Sequence, residues 1–377
     1  MFYLDHAATT PLRPEAWEAM EGFRETYGNP SGVHGVSRDA KNRLEEAREV
    51  AARLLGANRP AEIVFTGGGT EADNLAVTGA ALVGDRPGHV IVSDIEHKAV
   101  LESARFVARL GGRVTGVPVD RSGVVEPSRV AAAVGASTSV VSVMLANNET
   151  GSLQPVAEIA AAVHAVNPAT LVHTDAVQAF ISEEVDVSAL GVDLLSLAAH
   201  KFGGPKGVGL LYVRDGARLE SLLHGGSQEM GRRAGTHNPM GVAAMVEAME
   251  VSVADREAFR DRVGGARDDF ERRLMAAVPG LRVNGPRRRR LVQHSHLGFP
   301  GQNSETLLIR FDQAGLAAAA GSACQSGAIE LSHVLAAMGM GESEAAEAIR
   351  FSFGWTSTAT DAELAAKIVI DIVQDRS

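Results

Sequence analysis

Between about residues 60 and 215, short β-branched runs alternate with helical patterns, which constrains the fold more than any other feature of the chain. Such alternation is the signature of a mostly parallel sheet covered by helices. The strand candidates are 62–66, 89–93, 113–117, 139–145, 170–174, 193–198 and 208–213, with helices expected at 71–83, 97–110, 126–134 and 155–166. Before this block, an amphipathic stretch carries apolar residues at Ala40, Leu44, Ala47, Val50, Ala51 and Leu54; Ser37 is its expected cap and Gly56 its stop. After about residue 240 the pattern changes. One long polar helix, 247–274, is expected to lead to a smaller α+β part. Its strand candidates are 291–299, 315–319 and 348–353, and its helix candidates lie near 304–310, 331–338 and 361–373.

At 377 residues the chain is long enough for two domains. The expected division is a large domain over 15–258 and a small one formed by 1–14 with 259–377. A single cysteine, Cys324, allows no intrachain disulfide, which fits a reducing compartment. No secretory pattern opens the sequence and no apolar run approaches the roughly 20 residues of a membrane span, so a soluble cytoplasmic protein is expected. A formal charge of −10 disfavours nucleic acid as a partner. The run Arg287–Arg290 follows an Asn-Gly-Pro turn and reads as a solvated face.

There are only five lysines, so chemistry that needs a primary amine has few candidates. Lys41 and Lys367 sit among charges on amphipathic helices, where solvation is the expectation. Lys201 differs, because it follows an apolar strand and precedes the glycine-rich Gly203-Gly-Pro-Lys206-Gly. Ligands of open α/β sheets bind outside the carboxyl ends of the strands, and an amine there can form a Schiff base with an aldehyde cofactor such as pyridoxal phosphate. Such a cofactor needs an anion site for its phosphate. Gly67-Gly-Gly-Thr70 between a strand and a helix supplies one, although a plain tight turn fits the segment equally well. The ring nitrogen needs a carboxylate, which Asp175 at a strand end offers, with helix capping as its other reading. A ring or imidazole should cover the cofactor's face; His97 is placed for that, or is a surface histidine. Cys324, within Ala320-Gly-Ser-Ala-Cys-Gln-Ser-Gly327, is either a small hydrophobe or a nucleophile in an open loop.

Taken in order, the segments Tyr3–Pro11, Tyr27–Ser31, Gly68–Asn74, Glu96-His97-Lys98, Asn147–Gly151, Asp175–Gln178, His200-Lys201, Gly231–Thr236, Gly321–Cys324 and Ile349–Ser352 resemble the cysteine desulfurases. These are pyridoxal phosphate enzymes of the fold-type I, class V aminotransferase group. The resemblance implies an α/β large domain with a mostly parallel seven-stranded sheet and a smaller α+β domain. It implies that Lys201 carries the cofactor, Asp175 meets the pyridinium, Gln178 the phenolic oxygen, and His97 the ring face and protons. Gly69, Thr70 and His200 would hold the phosphate, with Thr236 reaching it from the other subunit of a homodimer. Arg350 and Asn148 would grip the carboxylate of L-cysteine, and Cys324 would take the sulfur as a persulfide, leaving alanine. No metal site is implied. The form of Gly321–Cys324 resembles the type associated with iron–sulfur assembly, which implies a scaffold protein as sulfur acceptor. A selenocysteine lyase or another lyase of this fold is the alternative activity, and a non-catalytic sulfur carrier the alternative of another class. Departures from the family pattern are Ala198, where a phosphate-contacting serine is common, Met230, where arginine or asparagine is common, and Leu291–His296 at a strand start.

Overall fold

The computed structural model describes residues 1–320 and 332–375. Its strands are β1 (Phe2–Tyr3), β2 (Ile63–Thr66), β3 (His89–Ser93), β4 (Arg113–Val117), β5 (Thr138–Ser142), β6 (Leu171–Asp175), β7 (Leu194–Ala198), β8 (Gly209–Val213), β9 (Arg282–Val283), β10 (His294–Gly298), β11 (Leu316–Ala317) and β12 (Ala348–Ser352). The seven candidates of the central block all form one sheet, in the order β2-β8-β7-β6-β5-β3-β4. Every pairing is parallel except those of β8, which is antiparallel to both neighbours. β2, β8 and β7 are buried at every position. Continuous burial explains why they read as unbroken apolar runs rather than as alternation.

Three expectations need correction. The run Arg287–Arg290 is not solvated throughout, since Arg290 is buried and paired with Glu271 at 2.9 Å. Ser37 does not cap the first long helix, which runs Gly35–Leu54; His34 is the cap, its ring accepting from the Ser37 amide, and Ser37 is buried one turn inside. The long polar helix 247–274 is two helices, Pro239–Ala254 and Arg256–Ala277. They part at Asp255, where ψ is −2°. The first buries Ala244, Met245, Ala248 and Met249, whereas the second keeps a charged outer face, so one amphipathic register does not serve both. Other boundaries shift by a few residues, and the helices Ser304–Gln313, His333–Ala337 and Ala359–Gln374 lie near their expected places.

Beside the large sheet, β12, β10 and β9 form a small antiparallel sheet. Residues from the start of the chain join it: β1 pairs with β11, and Asp5 bridges to Ser352. Phe270 packs its ring against Phe351 and Phe353 at 5.0 and 5.6 Å between centroids. Truncating a buried aromatic of this kind costs about 3–5 kcal/mol, so this cluster fixes where β12 lies. A buried pair also ties the long first helix to the sheet. Arg48 donates to both carboxylate oxygens of Glu229 at 2.7 and 2.8 Å, and the Phe65 amide donates to the same carboxylate at 2.9 Å. Glu229 holds φ +48°, a conformation most side chains avoid, and these three bonds retain it there. Among the described residues no helix is long and apolar enough to cross a membrane.

Candidate active site

β2, β3, β5, β6 and β7 all run in one direction, because β8 reverses twice between β7 and β2. Their carboxyl ends therefore deliver Thr66–Thr70, Ser93–His97, Met144–Asn148, Asp175–Gln178 and Ala198–Lys201 to one edge, the usual place for a ligand in such a sheet. Gly68 caps the helix Gly69–Ala81 with φ +146°, which only glycine adopts readily, and no side chain caps it. Its first amides are thus left for an anion. A Cβ on Gly69 would stand 3.1 Å from Val177 Cγ2 and 3.3 Å from Ala198 Cβ. The turn is therefore packed tightly onto the ends of β6 and β7. Glu71 braces its outer side, accepting from the Gly67 amide at 2.8 Å and from Arg233 Nε at 2.8 Å. A cavity of about 820 Å³ opens here, walled by Gly67–Thr70, Ala8, Thr9, His200 and Arg233 among others.

Lys201, in the turn after β7, donates from Nζ to the carbonyls of Ala7 at 2.5 Å and Ala8 at 2.9 Å. Burial first, and then the Arg350 charge, lower its amine to about 8, against the pull of Asp175 and Asp5. Asp175 is buried at the end of β6, its Oδ1 accepting from the Val177 amide at 2.9 Å. Burial raises its pKa, and His97, that amide and Lys201 oppose the rise. The side-chain polar atoms of Asp175, His97 and Asp73 lie within 4.8 Å of one another. His97 caps the helix Lys98–Arg109 by accepting from the Ala99 amide at 3.2 Å. Desolvation in the cleft lowers its pKa, with Asp175 opposing. Gln178 Nε2 donates to Ala7 O at 3.0 Å, and the His200 ring meets Thr9 Oγ1 at 3.2 Å. An uncapped helix start, a desolvated amine and a buried carboxylate beside an imidazole are the donor set that pyridoxal phosphate requires, so these residues fit that group.

Arg350 on β12 donates from Nη2 to Asp5 Oδ1 and from Nη1 to Asn148 O, each at 2.8 Å. Its Nε is buried and has no partner among the described residues. Beneath it, His294 and His296 on β10 are fully buried, and burial with the Arg350 charge lowers both. The departure at Leu291–His296 thus places neutral imidazoles under the guanidinium. Asp5, Lys201, Arg350 and Asn148 are joined through the segment 5–8. Thr236 is exposed and is not part of the cavity wall. Cys324 lies outside the described residues.

Asp5, Asp73, Glu96 and His173 belong to the same region and were not singled out from the sequence. Glu96 had a signal, since it precedes His97. It is fully buried, accepts from the Met144 amide at 2.8 Å and pairs with Ser93 Oγ. Burial pushes it up to about 8, against those two bonds. A carboxyl with a raised folded value holds a proton that the unfolded chain releases near pH 4.3. Its linkage therefore lowers stability as pH rises from there to about 8. Glu96→Gln is expected to remove that slope. The difference in unfolding free energy between variant and wild type, measured from pH 5 to 9, should grow in favour of the variant by a few kcal/mol. A flat difference would show Glu96 to be ionised throughout.

The class V aminotransferase family matches residues 2–364. The chain is 41% identical to a cysteine desulfurase IscS of Dictyoglomus turgidum over 374 residues, spanning 99% of this chain and 94% of that protein. It is 39% identical to an IscS-like cysteine desulfurase of Mycobacterium tuberculosis over 98% of this chain and 95% of that protein. Among solved structures, a NifS-like protein superposes with a TM-score of 0.91 at 36% identity, over 98% of both chains. SspA in complex with cysteine superposes with a TM-score of 0.82 at 33% identity, over 94% of this chain and 99% of that one. The chain belongs to the cysteine desulfurase family, within the class V aminotransferases.

Proposed function

We propose that this chain takes sulfur from L-cysteine with pyridoxal phosphate, leaving L-alanine and a persulfide on Cys324. The observation that carries the reading is Lys201: a half-buried amine brought down to about 8, at the carboxyl edge of the sheet and across from Asp175. When bound, the cofactor supplies an electron sink next to the substrate's α-carbon. Lys201 Nζ would hold the cofactor's carbonyl carbon and would take the substrate's α-proton. Asp175 would accept from the ring nitrogen, Gln178 would donate to the phenolic oxygen, and His97 would cover the ring. Gly69, Thr70 and His200 hold the phosphate. Arg350 and Asn148 hold the substrate carboxylate, the guanidinium offering a planar fork. The Cys324 thiolate attacks the substrate sulfur, so that an S–S bond forms as the C–S bond breaks. The electron pair of the broken bond stays with the carbon skeleton, which is protonated to alanine.

Thr236 acts in the partner's site of a homodimer. Its exposure supports this, as does the exposed apolar surface at Trp17, Tyr27, Val33 and Met230. The persulfide passes to an acceptor thiol in the cytoplasm, on an iron–sulfur scaffold protein; the form of Gly321–Cys324 and the single cysteine support this. Mass analysis after brief exposure to L-cysteine tests the central step. A one-sulfur adduct confined to the Cys324 peptide is expected. Alanine formation with Cys324 unmodified, and undiminished in Cys324→Ala, would sink it.

A further inference from the structure

Behind Asp175 lies a row of buried polar groups to which the reading above gives no task. Asp73, on the helix that starts at the glycine turn, is 1% exposed, and its Oδ1 has no hydrogen-bond partner. His173 Nε2 of β6 stands 3.7 Å from Oδ1, and the Ser196 side chain of β7 favours the ionised carboxyl. Both nitrogens of His173 are already engaged, Nδ1 with Ser142 Oγ at 2.8 Å and Nε2 with Ser196 Oγ at 2.9 Å. The polar atoms of Asp73 and Asp175 are within 4.8 Å of each other, and both side chains are buried.

Two buried carboxyls so placed oppose each other's ionisation, which favours one shared proton. The groups facing each decide where it resides. Asp175 has the Val177 amide, His97 and the Lys201 ammonium around it, all favouring its anion. Asp73 has only Ser196 in its favour, while Asp175 and Glu96 oppose its ionisation. His173 cannot serve as a counter-ion, because burial holds it down to about 3 and it stays neutral.

We propose that Asp73 is a positioning residue that takes the one proton shared by the two carboxyls, so that Asp175 meets the cofactor ring as an anion. This rests on the reading of Asp175 as the partner of the ring nitrogen. An anionic Asp175 keeps a proton on that nitrogen, whereas a neutral carboxylic acid would not. Asp73 touches neither cofactor nor substrate and acts through its neighbour.

Asp73→Asn keeps the shape of a neutral acid. At neutral pH it is expected to bind pyridoxal phosphate within about threefold of wild type, read from the visible absorbance of the bound cofactor. In cofactor-free protein it should lack one protonated-carboxyl infrared band that wild type shows. Asp175→Asn removes the neighbouring charge. That same band should then vanish about one pH unit or more lower than in wild type, and cofactor binding should weaken about tenfold or more. An Asp73 that merely packs would leave the band's midpoint indifferent to Asp175→Asn. The proposal is overturned if wild type and Asp73→Asn give the same infrared spectrum, or if Asp73→Asn binds the cofactor about tenfold more weakly, since charge on Asp73 would then be required. If Asp73→Asn fails to fold, the band shift in Asp175→Asn decides alone, and an unmoved midpoint overturns it. Weakened cofactor binding in Asp175→Asn with an unmoved band removes only the role of Asp73. Unchanged binding there removes the reading of Asp175 as well.

Discussion

Lys201→Ala is expected to reduce cysteine turnover by about a thousandfold or more, because both the attachment point of the cofactor and the base for the α-proton leave with one amine. The fold should survive. Among the described residues Nζ is held by the carbonyls of Ala7 and Ala8; Ala7 O keeps its bond from Gln178 once the side chain is gone, Ala8 is exposed to water, and removing a desolvated amine relieves a cost. Alanine and sulfide release measure the loss, and the thermal midpoint of cofactor-free protein checks the fold. Partial rescue of the rate by a small primary amine in solution would separate the chemical role from a structural one. Turnover above about one percent of wild type would remove Lys201 from the mechanism. The pH dependence of cofactor uptake follows from the same side chain. An amine at its ordinary value near 10.4 is scarcely neutral at pH 8, whereas one at about 8 is roughly half neutral there. Cofactor capture by cofactor-free protein should therefore quicken through pH 7 to 8 and level off above it. A rise that continues to pH 10 would contradict the lowered value.

The second large effect is expected at Arg350. Arg350→Ala should lower kcat/KM for cysteine about a hundredfold, ~3 kcal/mol, chiefly through KM, because the carboxylate loses its forked partner. Arg350→Lys keeps the charge and loses the planar fork, so its loss should be intermediate. Cysteamine, which lacks the carboxylate, provides the control: its turnover should be low in wild type and nearly indifferent to either variant. A wild-type KM for cysteine in Arg350→Ala would show that another group holds the carboxylate. The tie to Asp5 at 2.8 Å adds a measurable detail. Asp5 occupies one arm of the fork, so Asp5→Asn should loosen the guanidinium's orientation without removing its charge, changing KM by less than either Arg350 variant.

Much of the sheet was legible because most of its strands are buried at nearly every position and punctuated by glycine. The runs at 89–93 and 113–117 match β3 and β4 residue for residue. Lys201, Asp175 and His97 were legible for a related reason: strand direction alone puts their turns on one edge. What pattern could not supply is pairing across distance. Asp5 and Arg350 are 345 residues apart, and nothing near either names the other. Asp73 sits on a helix whose spacing shows that it faces the sheet, but not that Asp175 and Ser196 await it there. The cap at His34 was missed because an imidazole took a task more often given to the hydroxyl at Ser37. The break at Asp255 was missed because a single residue near ψ 0° leaves the run of helix-forming residues uninterrupted.

The tie between the two ends of the chain also bears on how the enzyme is made. Carbonyls of Ala7 and Ala8 seat the Lys201 amine, Asp5 seats the Arg350 guanidinium, and β1 needs β11 to pair at all. On the ribosome, the strands of the large sheet emerge early, with their glycine turn and lysine. β1 itself has no strand to pair with until β11 follows, more than 300 positions later. A partly synthesised chain can thus display an amine and an anion site while the substrate's carboxylate grip does not yet exist. On the proposed mechanism, the grip on the substrate's carboxylate is completed only when β12 and its Arg350 have been made, near the end of translation.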